Sequence, residues 1–252
     1  MFFKPKTTLM CFLALTNFAH AGFCTKVEGL TKIKTDVFKC KDGSISFDQL
    51  DSSNYEGRCG QTAAVNSLYS YCKKTFFEPS ANLLFFVDMT PGTRPDTMVK
   101  GMNTMMLHKS CERGTWKHYY SDTSWDFFKK LVYGTKKVNN NVRPMPVLIK
   151  PSRSSSTLHW VTVVSVEGFD TKMEKKFDNE VKKSNYNMAR MFDFLKDPKL
   201  NPMLNKACKV RYNQYGSSYT DSCSEFATKA NGVNDSWYTS LYGEYNYIKL
   251  KK

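Results

Sequence analysis

The cysteines of this sequence restrict its fold more than any other feature. Eight cysteines are present in 252 residues. Cys11 lies in an N-terminal segment that we expect to be removed, which leaves an odd number in the mature chain. Those are Cys24, Cys40, Cys59, Cys72, Cys111, Cys208 and Cys223. Exported cysteines pair, so six should form three bridges and one should keep a free thiol. Spacing alone does not decide which cysteine pairs with which.

The N-terminal segment has the pattern of a secretory signal peptide. Two lysines precede an apolar run from Leu9 to Phe18, and Ala19 to Ala21 supplies small residues at positions −3 and −1 of a cleavage site. The run is shorter than the roughly 20 apolar residues that cross a bilayer. We therefore expect residues 1–21 to be cleaved and residues 22–252 to form one secreted or periplasmic domain without a transmembrane segment.

The chain is strongly basic, with a formal net charge of +14 that falls to +12 without the two lysines of the N-terminal segment. This charge favours anionic surroundings, so anionic cell-wall or surface polymers are expected partners. Nucleic acid is not expected, because the basic residues are scattered and no arginine–aromatic motif is present. No cysteine and histidine spacing typical of zinc occurs. We expect neither a metal nor a cofactor.

The order of the apolar patterns indicates an α+β fold. Helical spacing follows Cys59 and recurs over Asp96–Leu107 and Trp125–Val132. Strands are expected at Ser44–Phe47, Met145–Ile149, Trp160–Val166, Cys208–Tyr215 and Tyr245–Leu250. Between the last strands, residues 170–207 contain a charged amphipathic stretch, which indicates a helical insertion. Helices that precede antiparallel strands are typical of the α+β class.

Cys59 is the candidate nucleophile. The segment Gly57–Ala64 (GRCGQTAA) places Cys59 where a loop becomes a helix. The positive end of a helix stabilises a thiolate, and Gly60 leaves room for a substrate to approach the backbone. The alternative is a structural cysteine, but the odd number of cysteines weakens it. We predict that Cys59 attacks a carbonyl carbon.

His159 is the candidate general base. Beyond residue 21 the sequence contains three histidines: His108, His118 and His159. His159 opens a β-branched strand and follows the polar stretch Ser152–Thr157, so its ring can face a cleft while the strand is anchored in the core. We interpret His108 and His118 as ordinary surface or core residues.

Two segments carry a resemblance to a known family. GRCGQTAAVNSL and LHWVTVVSVEG resemble the cysteine helix and the histidine strand of papain-like cysteine peptidases, in the branch of the double-glycine leader peptidases and their secreted bacterial relatives. The resemblance covers about residues 45–170 and 208–220. It implies a central cysteine-bearing helix packed on an antiparallel sheet, and a monomer that hydrolyses peptide or protein substrates. The long insertion departs from the family pattern.

The same resemblance nominates supporting residues. In the family a glutamine before the cysteine helps to bind the oxyanion, and Gln49 holds a comparable place, with Asn54 as the alternative. VRYNQYG resembles the family's Asn-Ser-Trp-Gly motif and nominates Asn213 as the residue that orients the imidazole. Asp170 is the rival for that role. The implied catalytic set is therefore Cys59, His159, Asn213 and Gln49.

Two further function classes remain open at this point. One is a non-peptidase acyl-transfer enzyme of the same fold, such as a cell-wall amidase or a transglutaminase-like protein, which the basic charge would suit. The other is a catalytically inactive, disulfide-bonded binding protein in which Cys59 is bridged. The state of the Cys59 thiol separates the second class from the enzymes.

Overall fold

Two antiparallel sheets and five helices make up the part of the chain that the computed structural model describes. That part comprises residues 24–27, 37–47, 59–72, 94–107, 111–121, 124–136, 138, 142–151, 158–169, 171–183, 208–214, 216–231 and 245–252. The α+β class expected from the sequence is confirmed. None of the helices within these ranges is long and apolar enough to cross a membrane.

The elements follow one another in an order that mixes helices and strands. The strands are β1 (Cys24–Lys26), β2 (Val37–Cys40), β3 (Ile45–Phe47), β4 (Thr115–Tyr119), β5 (Met145–Ile149), β6 (His159–Glu167), β7 (Lys209–Gln214), β8 (Ser217–Ser222) and β9 (Tyr247–Lys251). The helices are α1 (Cys59–Leu68), α2 (Pro95–Met106), α3 (Ser124–Thr135), α4 (Thr171–Lys183) and α5 (Cys223–Asn231).

The larger sheet has the strand order β4-β9-β5-β6-β7-β8, and every neighbouring pair is antiparallel. Strands β6 and β7 are neighbours although a long segment separates them in sequence. Helix α4 lies in that segment, which agrees with a helical insertion between the two strands. Strands β1, β2 and β3 form a separate, smaller sheet.

Helix α1 is buried along its whole length, from Cys59 to Leu68. It can be buried on all sides because small residues such as Gly60, Ala63 and Ala64 let neighbouring backbones approach closely. The Thr162 hydroxyl of β6 donates to the Ala63 carbonyl at 3.3 Å, so α1 lies on the face of the sheet to which Thr162 points. Methionines of α2 pack into the same core.

The opposite face of the sheet is covered by α3 and α5. Phe127, Phe128 and Leu131 of α3 and Phe226 of α5 are fully buried against it. Helix α5 begins with a capping box, in which the Glu225 N–H donates to the Ser222 hydroxyl and the Ser222 N–H donates to the Glu225 carboxylate. The sheet therefore separates two apolar cores.

The small sheet is held against the large one through β3. The Phe47 N–H donates to Asn66 Oδ1 of α1 at 2.9 Å, and the Phe47 carbonyl accepts from the Gly216 N–H at 3.2 Å. The Asn213 side chain donates to the Ile45 carbonyl at 3.1 Å. These contacts leave few buried backbone groups of β3 unpaired, which is what burial of a short strand requires.

Three disulfides join the described cysteines: Cys24–Cys40, Cys72–Cys111 and Cys208–Cys223. Cys59 alone among the described cysteines keeps a free thiol. The three bridges expected from the odd number of cysteines are therefore confirmed, and the cysteine left over is the one that opens α1. Disulfides of this number are typical of proteins in an oxidising compartment.

The Cys208–Cys223 bridge supports one of the two cores, because both half-cystines are completely buried beside Phe226. Replacing both cysteines by alanine should lower the free energy of unfolding by about 3 kcal/mol, since closure of this loop of 15 residues restricts the unfolded chain. Urea denaturation at pH 7 measures the change. The matched control is the Cys24–Cys40 pair, whose cysteines join two strands of the small sheet. Because the control loop of 16 residues is almost as long, its entropic loss should be the same, and any additional loss for Cys208–Cys223 measures the packing of its buried half-cystines. A larger loss in the control would contradict the role of Cys208–Cys223 in the core.

Candidate active site

Cys59 presents its thiol at the first turn of α1, where the thiol meets β6. The side chain is buried, with 7% of its surface exposed. Burial raises the pKa of the Cys59 thiol, and backbone hydrogen bonds from Trp160, Gly60 and Cys59 itself partly offset that rise. Two of these three groups belong to the helix start and the third belongs to the strand. The thiol is therefore held against the residue that directly follows His159.

His159 is the first residue of β6 and is also buried, with 5% of its surface exposed. Burial lowers the pKa of its imidazole from 6.5 to about 4, and a side-chain hydrogen bond with Gln214 acts weakly in the opposite direction. The imidazole is therefore neutral at neutral pH. A neutral imidazole can accept a proton, which is the property that a general base needs.

The electrostatics of the site favour neutral groups on both sides of the expected pair. Desolvation raises the pKa of the Cys59 thiol and lowers that of the His159 imidazole, and both shifts oppose charge separation. A resting thiolate–imidazolium pair, as implied by the family resemblance, is therefore disfavoured in this state.

The Asn213 side chain makes its hydrogen bonds away from His159. A hydrogen bond from Asn213 to His159 was expected, but both hydrogens of its amide go elsewhere, to Ser44 Oγ at 2.8 Å and to the Ile45 carbonyl at 3.1 Å. The side-chain hydrogen bond to His159 involves the next residue along β7, Gln214. Asn213 is thus a contact between the two sheets, and Gln214 holds the place expected of the orienting residue.

Strand alternation explains this exchange. Asn213 is the Cα partner of Thr162, and directly opposed residues point to the same face of a sheet. His159 is three residues before Thr162, so strand alternation directs its side chain, like that of its Cα partner Ile149, to the face opposite α1 and Cys59. Gln214, one residue after Asn213, also points to that face. Of Asn213 and Gln214, only Gln214 can therefore reach the imidazole.

Several nominated residues lie outside the described residues. They are Gln49, Asn54, Asp170 and His108. The oxyanion role of Gln49 or Asn54 therefore stays a prediction. His118 is described: its Nε2 lies 2.7 Å from Asn246 Oδ1, and burial lowers its pKa. It lies on β4, three strands away from β6, which agrees with an ordinary structural histidine.

Sequence analysis missed two contributors to the site. Gln214 was overlooked because the nearby VRYNQYG motif drew attention to the asparagine, although strand alternation would have favoured its neighbour. The Trp160 N–H was missed because a backbone donor leaves no signal in the residue type. Among the described residues, no group of histidines, cysteines and carboxylates has the arrangement of a metal site.

No protein-family model and no curated protein matches this sequence. The candidate site therefore rests on the geometry around Cys59 and His159 and on the residues themselves.

The lowered pKa of His159 should make stability depend on pH. The unfolded chain binds a proton at this residue below about pH 6.5, whereas the folded chain does so only below about pH 4. The contribution to the free energy of unfolding, about 3 kcal/mol, is complete above pH 6.5 and is lost as the pH falls to 4. Urea denaturation of wild type and His159→Gln at pH 7, 5.5 and 4.5 should show a steeper decline for wild type. If the free energy of unfolding declined equally in wild type and His159→Gln, the lowered pKa of His159 would be contradicted.

Proposed function

We propose that this protein is a cysteine hydrolase of papain-like type that cleaves peptide bonds. One observation carries the proposal: the free thiol of Cys59 lies at the start of a buried helix and accepts a hydrogen bond from the backbone of Trp160, next to His159. A helix start is the position at which thiols act as nucleophiles, and the proposal requires the His159 ring, at the first residue of β6, to turn from the α3 face of the sheet toward the thiol.

The proposed reaction has two halves. In the first, Cys59 Sγ bonds to the carbonyl carbon of the scissile peptide while its proton passes to His159. The C–N bond then breaks, and the amine leaves with that proton. In the second half, water gives a proton to His159 and its oxygen bonds to the same carbon. The C–S bond breaks, and the proton returns to the Cys59 sulfur.

The surroundings of the thiol suit this sequence of steps. The Gly60 and Trp160 N–H groups already point at the sulfur, and N–H groups at a helix start are suited to stabilising the oxyanion of a tetrahedral intermediate. The Gln214 side chain can hold one ring nitrogen of His159 while the other accepts the thiol proton. We further propose Gln49 or Asn54 as a side-chain donor to the oxyanion.

Two other functions were open from the sequence. An inactive binding protein with a bridged Cys59 is not supported, because the described Cys59 is free. A cell-wall amidase or a transglutaminase-like enzyme would use the same acyl chemistry on another substrate. Profiling the purified protein against a peptide library and against peptidoglycan fragments separates these activities.

The test of the proposal is selective modification of Cys59. A tagged peptide that carries an epoxide should label the folded protein at Cys59 with one tag per chain, and His159→Ala should slow the labelling at least tenfold. Iodoacetamide on unfolded, unreduced protein is the control for thiol number. Labelling of the folded protein that is no faster than that of the unfolded protein would contradict an activated thiol.

A further inference from the structure

A basic cleft of about 720 Å³ lies beside β9, mostly on the face of the large sheet that carries α3, with Tyr71 from the segment after α1 at its border. Helix α3 and the residue after it contribute Lys130, Tyr133 and Lys136, and β9 contributes Lys249 and Lys251. Helix α1 with Cys59 packs on the other face, and β5 separates β9 from the strand that carries His159. The cleft is therefore distinct from the candidate active site.

The lysines of this region are placed where they repel one another. Lys117 of β4 and Lys249 of β9 are directly opposed Cα partners, and like charges in that position destabilise a sheet. Burial lowers the pKa of Lys249, and the nearby positive charge of Lys130 lowers it further. Within the described ranges, no ion pair involves Lys117, Lys249 or Lys251. The sheet carries positive charge that its own carboxylates leave uncompensated.

The acidic residues near the cleft compensate three of its cations, Lys130, Arg143 and Lys252. Glu112 accepts from Arg143 at 2.8 Å and lies 3.2 Å from the Lys252 ammonium group. Asp126 lies 3.9 Å from Lys130, at the edge of ion-pair distance. Lys249 and Lys251, which line the cleft, therefore stay available for an anion that comes from outside the chain.

Tyrosines complete the cleft. The rings of Tyr119 and Tyr247, which are also opposed Cα partners, stack with their centroids 5.7 Å apart and form one wall. Tyr133 is 56% exposed at the rim. Tyrosine combines an apolar ring face with a hydroxyl group, which suits a ligand that has both apolar faces and hydroxyls. Sugar rings have this chemistry.

We propose that this cleft binds an acidic polysaccharide, a sugar chain that carries carboxylate or sulfate groups. The lysines would neutralise the acidic groups, and Tyr119 and Tyr133 would contact the sugar rings while the buried Tyr247 supports Tyr119. Nucleic acid is the less suitable polyanion because the cleft offers tyrosines beside scattered lysines and no arginine–aromatic motif occurs in the sequence. The three disulfides also indicate an oxidising compartment, where acidic glycans are the abundant polymers.

The experiment measures binding of the full chain to four probes by calorimetry in 50 mM and 200 mM salt, because the higher salt screens contacts between exposed charges more strongly. The probes are a heparin decasaccharide, a polyuronate decasaccharide, a neutral dextran of equal length and a single-stranded DNA of equal charge. The site variant is Lys249→Gln with Lys251→Gln, which removes two lysines that line the cleft. The matched control is Lys172→Gln with Lys175→Gln, which removes two charges from the exposed surface of α4.

We expect the acidic oligosaccharides to bind and the dextran not to bind. The acidic probe that binds more tightly identifies whether sulfate or carboxylate is preferred. The site variant should bind about tenfold more weakly, from about threefold for each lysine, while the control keeps its affinity. Without ligand, the site variant should melt at the same temperature as wild type or higher, because the repulsion is relieved. Equal losses in both variants, tighter binding of DNA, or no binding of either acidic probe would overturn the proposal.

Discussion

Replacing Cys59 by alanine should lower kcat/KM for peptide hydrolysis by about 10⁴-fold or more, because the sulfur is the atom that forms the covalent bond. His159→Ala should cause a loss of similar size. The double variant should be little worse than either single one, since a nucleophile and its base act as a unit. Steady-state kinetics with a fluorogenic peptide selected from the library measures all three variants.

The fold should survive both replacements. Cys59 is surrounded by small residues, and its removal deletes one sulfur from the core, which should cost about 1–2 kcal/mol. Circular dichroism and urea denaturation are the controls for each variant. His118→Ala is the matched histidine control, because His118 is part-buried and hydrogen-bonded but lies on a distant strand. If His118→Ala removed activity while His159→Ala kept it, the assignment of the base would be wrong.

The sequence predicted the buried parts of the fold better than the edges. Strands β5 and β6 are long runs of apolar and β-branched residues, and both were expected within two residues of their bounds. The two edge strands of the large sheet, β4 and β8, were missed. Their sequences, TWKHY and SSYTDS, are polar because an edge strand faces solvent, so neither shows an apolar pattern.

The candidate site shows a similar division. Cys59 and His159 could be nominated from residue type, because a lone thiol and a histidine at a strand start are visible in the sequence. Their electrostatic state could not, because it depends on burial by residues far away in the chain. The choice between Asn213 and Gln214 depends on the register of β6 and β7, and a shift of one residue reverses which side chain faces the imidazole.

The two neighbouring residues of β7 should differ in what their loss affects. Asn213→Ala should lower the free energy of unfolding by about 2 kcal/mol, because the Ile45 carbonyl and Ser44 lose a buried partner. Gln214→Ala should instead lower kcat/KM by about 10- to 100-fold with a small change in stability, because the imidazole loses the group that orients it. Urea denaturation and steady-state kinetics on both variants separate the two roles.

Gln214→Glu tests orientation more directly than removal does. A carboxylate beside the imidazole favours its charged form, so the pKa of His159 should rise from about 4 toward its ordinary value. The acid limb of the kcat/KM profile should then move to higher pH, and activity should partly recover relative to Gln214→Ala. The glutamate should leave the profile unmoved if residue 214 only fills space. In that case, or if Asn213→Ala lost activity without losing stability, the orienting role would return to Asn213.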